Sequence, residues 1–489
     1  MPYIIGIDQS TQGTKAMLFD GQGKIVLRLD RPHRQIIDEN GWVEHDPEEI
    51  YQNLIRLVRD LMAKSGVSGN EIAAVGISNQ RETAMAWDRQ TLAPVYNAIV
   101  WQCARGAAIC ERIEKQGLSE SIRQKTGLRL SPYFSAAKLS WIMENVPQVH
   151  DRALKGEICV GTMDSYLVHR LTGGKEFRTD YSNASRTQLF NIRTLQWDKE
   201  LCEIFGIPMA CMAEVTDSDG FFGETDFDGV LPCKVPIHGV MGDSHGALFG
   251  QGCLKPGMMK ATYGTGSSIM MNIGETPIFS DQGVVTSLAW KTNGKVQYVL
   301  EGNINYTGAV ITWLKDDMHL LENAGESERL AREADPADHA YVVPAFSGLG
   351  APYWRSDAEA AIIGMRRTTG RKEIVKAGLS CIAYQIADVV KLMQKETAID
   401  KVELRVDGGP TRNSWLMQFQ SDILNAELRV PEAEELSAIG AAYAAGLSTG
   451  VYPEDIFTKT AYKAFHPSMT EERRTRLYQG WQDAVKRVL

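Results

Sequence analysis

Residues 3–15, Y-I-I-G-I-D-Q-S-T-Q-G-T-K, are the stretch on which the fold turns. An apolar run, Tyr3 to Ile7, ends in Asp8 and gives way to a short polar turn, Gln9 to Gly13. A second strand-like run follows over Thr14–Asp20. After the turn Gly21–Lys24 comes a third, Ile25–Leu29, so the pattern predicts a meander of antiparallel hairpins. Small hydroxylic residues in a tight turn expose several backbone N–H groups at once, and such a nest suits phosphate oxygens. Asp8, at a strand end, suits Mg²⁺ held through water, and Lys15 suits phosphate charge. Alone, the same letters also fit an ordinary hairpin turn.

The pattern recurs. H-G-V-M-G-D-S at 238–244 is a strand ending in Asp243, A-T-Y-G-T-G-S-S at 261–268 a second hairpin turn, and V-E-L-R-V-D-G-G at 402–409 a strand running into Gly408-Gly409. Two glycines there let a flat adenine or ribose approach the backbone. Two phosphate-type hairpins and a Gly-Gly turn, spread over two α/β halves, are the layout of an actin-like ATPase. The expectation is therefore an α/β protein of two actin-like (ribonuclease H-like) domains with a catalytic cleft between them. The boundary falls near 245–256, giving domains 1–250 and 251–489. Asp46 caps a helix over 47–64, with Pro47 in its first turn, Glu48 and Glu49 favouring its dipole, and Ile50, Leu54, Leu57, Val58, Leu61 and Met62 forming its apolar stripe. A buried strand is expected over 71–78, and helices over 371–395, 412–426 and 437–447.

Composition narrows the class. The 489 residues are 44% hydrophobic and 23% charged, ordinary for a globular protein and excluding wholesale disorder. With 52 Lys+Arg against 61 Asp+Glu the net charge is −9, interspersed, so nothing pulls the chain toward nucleic acid. No apolar stretch reaches the roughly 18 residues a membrane span needs. The most hydrophobic tract, Ala438–Leu447, is mostly Ala and Gly and too short. Asp8 interrupts any signal-peptide core. The 8 cysteines include no C-x-x-C, which points to reduced thiols, a cytoplasmic protein and no structural zinc. Walker, dinucleotide, zinc-protease and nucleophile-elbow motifs are absent.

A different constellation suits a polyhydroxylated acceptor. In Asn79-Gln80-Arg81-Glu82-Thr83 a charged pair ends a buried strand; Arg donates and Glu accepts, which fits vicinal hydroxyls, although a surface ion pair has the same letters. Trp101 and Tyr133 offer an apolar wall with a hydroxyl handle, or plain core packing. Asp243 is placed to deprotonate a substrate hydroxyl during phosphoryl transfer. His245, two residues on, reads as structural.

With these residues in hand, the chain resembles the FGGY family of carbohydrate kinases, and within it the glycerol kinases. The likeness runs from G-I-D-Q-S-T at 6–11 to S-A-I-G-A-A-Y-A-A-G-L at 437–447. It includes Y-F-S-A-A-K-L-S-W-I at 133–142, which fits the first family signature. G-W-V-E-H-D-P at 41–47, S-N-Q-R-E-T at 78–83, Y-N-A-I-V-W-Q at 96–102, D-Y-S-N-A-S-R-T-Q-L-F-N-I at 180–192, G-L-G-A-P-Y-W at 348–354 and L-M-Q-F-Q-S-D-I-L at 416–424 follow the same family. The resemblance implies ATP, Mg²⁺ and phosphorylation of a primary hydroxyl of glycerol or a related short polyol. It implies acceptor contacts at Arg81, Glu82, Trp101, Tyr133 and Asp243, with Asp243 as catalytic base and, with Asp8, associated with the metal. Nucleotide contacts are implied at Thr11, Gln12, Lys15, Thr265, Gly308, Gly408, Gly409 and Asn413. The expected partners are a small polyol or sugar and further copies of the chain, as a dimer or tetramer, with no nucleic acid and no membrane insertion.

The chain also departs from the glycerol-kinase pattern. Ser244-His245 stand where two Gln usually follow the base, Ser268 replaces a glycerol-facing Phe, and Cys103-Ala104-Arg105 replace Asp-Arg-Arg. Two serines in place of Gln and Phe imply a larger, more polar pocket with Ser244 and Ser268 among its contacts. An acceptor of four or five carbons, of the erythritol, xylulose or ribulose type, is the alternative. The basic inhibitor loop has no counterpart around Asp228–Leu231, nor has the phosphorylatable His near Phe221–Gly223.

Overall fold

The computed structural model describes residues 2–489. The meander forms as its alternation predicts: strands Tyr3–Gln9, Gly13–Phe19 and Ile25–Pro32 pair antiparallel in sequence order. They are one flank of a six-stranded sheet completed by Ile72–Asn79, Val235–Gly242 and a short edge strand Glu224–Thr225. Tyr3–Gln9, Ile72–Asn79 and Val235–Gly242 run parallel, and their register is what assembles the site. Asp8 pairs with Ser78 and Ser78 with Met241; Gln9 pairs with Asn79 and Asn79 with Gly242. The carboxyl ends of all three strands therefore finish on one edge, where open α/β sheets bind ligands.

The second sheet has seven strands, in the spatial order Val285–Thr292, Lys295–Ile304, Ser267–Gly274, Met258–Tyr263, Glu403–Asp407, Leu428–Pro431 and Tyr462–Phe465. Its pairings set one polar row across the sheet: Asp407 beside Thr262, Thr262 beside Ser268, Ser268 beside Asn303. A smaller five-stranded sheet includes Ala84–Asp88 and Ala98–Ile99, the second of which leads directly into Trp101.

Helices stand where caps and periodicity place them. Pro47–Ser65 starts at Asp46, whose carboxylate accepts from the Glu48 and Glu49 N–H groups, and stops at Gly66 in the left-handed conformation. Arg371–Thr397, Ser414–Leu424 and Leu436–Ser448 form over the other predicted segments. The Ala/Gly tract has a packing role. Leu436–Ser448 comes from the second half of the chain but lies on the first sheet and against the helix Asp243–Gly250. A Cβ at Gly440 would sit 1.9 Å from the Gly246 carbonyl oxygen, and one at Gly239 2.2 Å from that of Ala441. Only small residues allow this approach. No helix among the described residues is long and apolar enough to cross a membrane, and all eight cysteines are free, seven of them buried.

Candidate active site

Asp243 opens the helix Asp243–Gly250 directly after the strand Val235–Gly242. Its side chain is 36% exposed and its Oδ1 lies 3.3 Å from Arg81 Nε. Arg81 and Glu82 follow the neighbouring strand, so the register brings the three together. The turn is strained: Glu82 has φ 59°, and the Thr83 N–H donates back to the Arg81 carbonyl at 2.7 Å, closing a γ-turn. That geometry presents both charged side chains on the same side. They are 5% and 2% exposed, so the pair is internal and not a surface ion pair.

Two residues that sequence reasoning did not single out complete this cluster. Glu301, on the strand Lys295–Ile304 of the second sheet, accepts from both terminal nitrogens of Arg81 at 3.0 Å. Arg186 donates from Nε to Glu82 Oε1 at 2.6 Å and pairs with Glu301 Oε2 at 2.9 Å. Burial alone would raise the Glu301 pKa; the guanidiniums of Arg186 and Arg81 overcome it and hold the carboxyl well below the usual range. The signal for Glu301 is a lone acid in the otherwise apolar V-L-E-G at 299–302.

Trp101 and Tyr133 meet edge to face with ring centres 5.5 Å apart, and Trp101 Nε1 donates to Thr11 Oγ1 at 3.0 Å. Burial pushes the Tyr133 phenol well above its ordinary pKa, so it stays neutral. Behind it, Lys138 donates its ammonium to the carbonyls of Tyr133 and Phe134. His245 is fully buried behind Asp243. Burial, then the charges of Arg81 and Arg186, hold its pKa far below 6.5, so the ring is neutral. Its Nε2 is 3.4 Å from Ser287 Oγ, and its Nδ1 has no hydrogen-bond partner among the described residues. The Ser244 N–H donates to Asp243 Oδ1 at 2.6 Å. Ser268 Oγ is buried without a partner among the described residues. Arg105, of the altered triplet, lies between Trp42 and Trp141 and pairs with Glu44 at 2.6 Å.

The Gly/Thr/Ser turns are equally specific. Thr11 and Gln12 stand in the first turn, where the Ser10 N–H donates to the Gly13 carbonyl at 2.9 Å. Asp8 is 5% exposed, and its pKa is pushed up to about 6, mainly by burial, with the negative charges of Asp243 and Glu435 adding to it. Lys15 lies 3.6 Å from Asp8 and 2.7 Å from Glu435, so its charge is already shared with two carboxylates. Burial opposes that charge, and Asp8 and Glu435 outweigh it and raise the Lys15 pKa. In the second hairpin, Gly264-Thr265-Gly266 is knitted to the helix Gly308–Thr312: the Thr307 and Ala309 N–H groups donate to the Thr265 carbonyl. A Cβ at Gly308 would lie 2.7 Å from the Gly264 carbonyl oxygen. Gly408 has φ 100°, and any Cβ there would meet the Tyr263 backbone at 2.1 Å, while Gly409 is open. Asn413 caps the next helix through Oδ1 and donates from Nδ2 to Ser327 at 3.2 Å. No three His, Cys, Asp or Glu side chains gather as a metal cage among the described residues.

Residues 3–250 match the N-terminal domain, and 259–449 the C-terminal domain, of the FGGY family of carbohydrate kinases. The chain belongs to that family. Glycerol kinase 1 of Thermotoga maritima is 49% identical over all of this chain and 99% of its own. The glycerol kinase of Caldanaerobacter subterraneus is 45% identical over all of this chain and 98% of its own. Among solved structures, Plasmodium falciparum glycerol kinase with ADP superposes with a TM-score of 0.95 at 36% identity, covering 100% of this chain and 98% of that one. A xylulose kinase of Lactobacillus acidophilus shares the fold, with a TM-score of 0.89 at 21% identity over 99% and 98% of the two chains. The two-domain actin-like architecture is thus that of the FGGY kinases, and the chain is an ATP-using phosphotransferase acting on an alcohol group.

Proposed function

We propose that this FGGY kinase transfers the γ-phosphoryl group of ATP to a terminal hydroxyl of glycerol or a closely related short polyol. The observation that carries the reading is the meeting of Asp243 with Arg81 and Glu82 on the sheet edge that also holds Asp8, in a chain alike end to end to glycerol kinases. Asp243 takes the proton of the acceptor hydroxyl as its oxygen bonds to the γ-phosphorus and the β,γ-bridging oxygen leaves with ADP. Arg81 donates to, and Glu82 accepts from, the neighbouring hydroxyls. The carbon chain rests on Trp101 and Tyr133. Thr11, Gln12, Lys15 and Thr265 face the phosphates, and Gly308, Gly408, Gly409 and Asn413 the nucleoside. Ser244 and Ser268 border the far end of the acceptor.

Mg²⁺ fits this edge. Asp8 is buried and raised in part by the charge of Asp243, a tension that a cation relieves. Mg²⁺ is usually held by one or two carboxylates together with substrate phosphates, which matches Asp8 and Asp243 and needs no all-protein cage. When bound it neutralises phosphate charge. Reduced, mostly buried thiols support a cytoplasmic protein, and a homodimer or homotetramer is read from the family likeness.

A second reading, a four- or five-carbon acceptor, is favoured by one feature: the buried, unpartnered Ser268 Oγ, which an extra substrate hydroxyl would satisfy. A coupled ADP-release screen across glycerol, erythritol, pentitols and ketopentoses tests both. Highest kcat/KM on glycerol supports the first reading, highest on a longer acceptor supports the second, and no turnover on any of them overturns both.

A further inference from the structure

The charge cluster of the acceptor site reaches across the two halves of the molecule through one side chain. We infer that Glu301 is a positioning residue that orients Arg81 and Glu82 for the acceptor, and that the nucleotide-bearing half thereby sets acceptor affinity. The inference rests on the reading of Arg81 and Glu82 as acceptor contacts.

Glu301 is fully buried, which is expensive for a carboxylate without close, oriented partners. It has them. Arg81 reaches both of its oxygens at 3.0 Å, the two-pronged arrangement that fixes the plane of a guanidinium. With that plane fixed, Nε is the atom turned to Asp243, at 3.3 Å. Each terminal nitrogen of Arg81 keeps one further N–H, and these two are what the side chain has left for substrate hydroxyls. Glu82 is held at second hand: Arg186 spans from Glu82 Oε1 at 2.6 Å to Glu301 Oε2 at 2.9 Å. One carboxylate thus directs the donor of the acceptor site directly and its acceptor through Arg186.

Glu301 belongs to the second sheet. It pairs with Met270, two residues along the strand from Ser268, on the second nucleotide hairpin. Arg81, Glu82 and Arg186 all belong to the first half. A shift of the nucleotide half relative to the first sheet therefore re-aims Arg81 without touching the acceptor.

Steady-state kinetics of Glu301→Gln and Glu301→Asp, with glycerol or the best acceptor from the screen, test this. Gln keeps the shape and removes the charge. Its expected effect is a ~10- to 100-fold rise in acceptor KM, the worth of a charged hydrogen bond, with ATP KM and ADP affinity within about threefold of wild type. Glu301→Asp, which retains the carboxylate, should recover part of the loss. It also carries the test if the Gln variant does not fold. An acceptor KM that stays at the wild-type value, or acceptor and ATP terms that worsen together without recovery in Asp, overturns the inference while leaving the kinase reading intact. A wild-type enzyme inactive on every polyol and sugar overturns the reading first, and the inference with it.

Discussion

Trp101 Nε1 donates to Thr11 Oγ1 at 3.0 Å, joining the Trp101–Tyr133 pair to the first hairpin turn across 90 residues of sequence. Thr11→Val keeps the shape and removes the oxygen, leaving a half-buried indole N–H without its partner. A lost neutral hydrogen bond is worth about 1 kcal/mol, so acceptor KM should rise ~3- to 10-fold. Unchanged kinetics in the Val variant would show that the bond does not seat the indole.

Asp243→Asn should preserve folding and ADP binding but lower kcat by roughly 10²–10⁴, the usual contribution of a general base. His245→Ala should cost far less turnover, because the ring is neutral and lies behind the carboxylate. Equal losses in the two variants, measured in the same coupled assay, would reverse the assignment.

Ser244→Gln with Ser268→Phe narrows the far end of the pocket and removes the unpartnered Ser268 hydroxyl. Each mismatched apolar contact is worth about 1–3 kcal/mol, so the double variant should shift the ratio of kcat/KM for glycerol over a longer polyol by about two to four decades toward glycerol if the effects add. An unchanged ranking of acceptors excludes these two positions as determinants of chain length.

Lys138 gives a pH signature in stability. Burial is the main cause pushing its pKa down to about 7, below the 10.5 of an unfolded lysine. Between those values the unfolded chain binds the extra proton. The contribution of this group to stability therefore rises as pH increases from about 7 to 10.5 and is least favourable below 7. In urea titrations, the stability of wild type relative to Lys138→Met should increase over that window; a flat difference would mean that the buried amine does not titrate there.

Gly440→Ala places a methyl carbon 1.9 Å from the Gly246 carbonyl oxygen, whereas Gly246→Ala meets its nearest neighbour, the Ser437 carbonyl oxygen, at 2.9 Å. The first should destabilise by about 1–3 kcal/mol or more, the second by less. Thermal melting of the two variants gives the order directly, and a more damaging Gly246→Ala would contradict the packing described.

Much of this was legible in the chain. The recurring Asp-ended apolar runs point to two α/β halves, the alternation over 3–29 to antiparallel hairpins, and the cap at Asp46 to a helix start. Arg81, Glu82, Trp101, Tyr133 and Asp243 lie together as their motifs suggest. What stayed hidden depends on pairings with no local pattern. Glu301 is one acid in an apolar strand, and its partners lie 220 and 115 residues earlier. Glu435, which holds Lys15, is one of three acids in P-E-A-E-E-L at 431–436, and nothing local marks it off from Glu432 and Glu434. The Ala/Gly run at 438–447 signals close packing, but nothing in its letters says that the surface it meets is the first sheet.

That last contact has a consequence for how the protein is made. Ile4, Ala74 and Met241 of the first sheet share their apolar cluster with Leu436, Ala438, Ile439 and Ala442. During vectorial synthesis the first 250 residues leave the ribosome with this face bare. At 5–20 residues per second the covering helix is complete roughly 10–40 s later. For that interval the nascent amino-terminal half presents an apolar sheet surface to its surroundings, and an excised fragment ending near residue 250 would present it permanently.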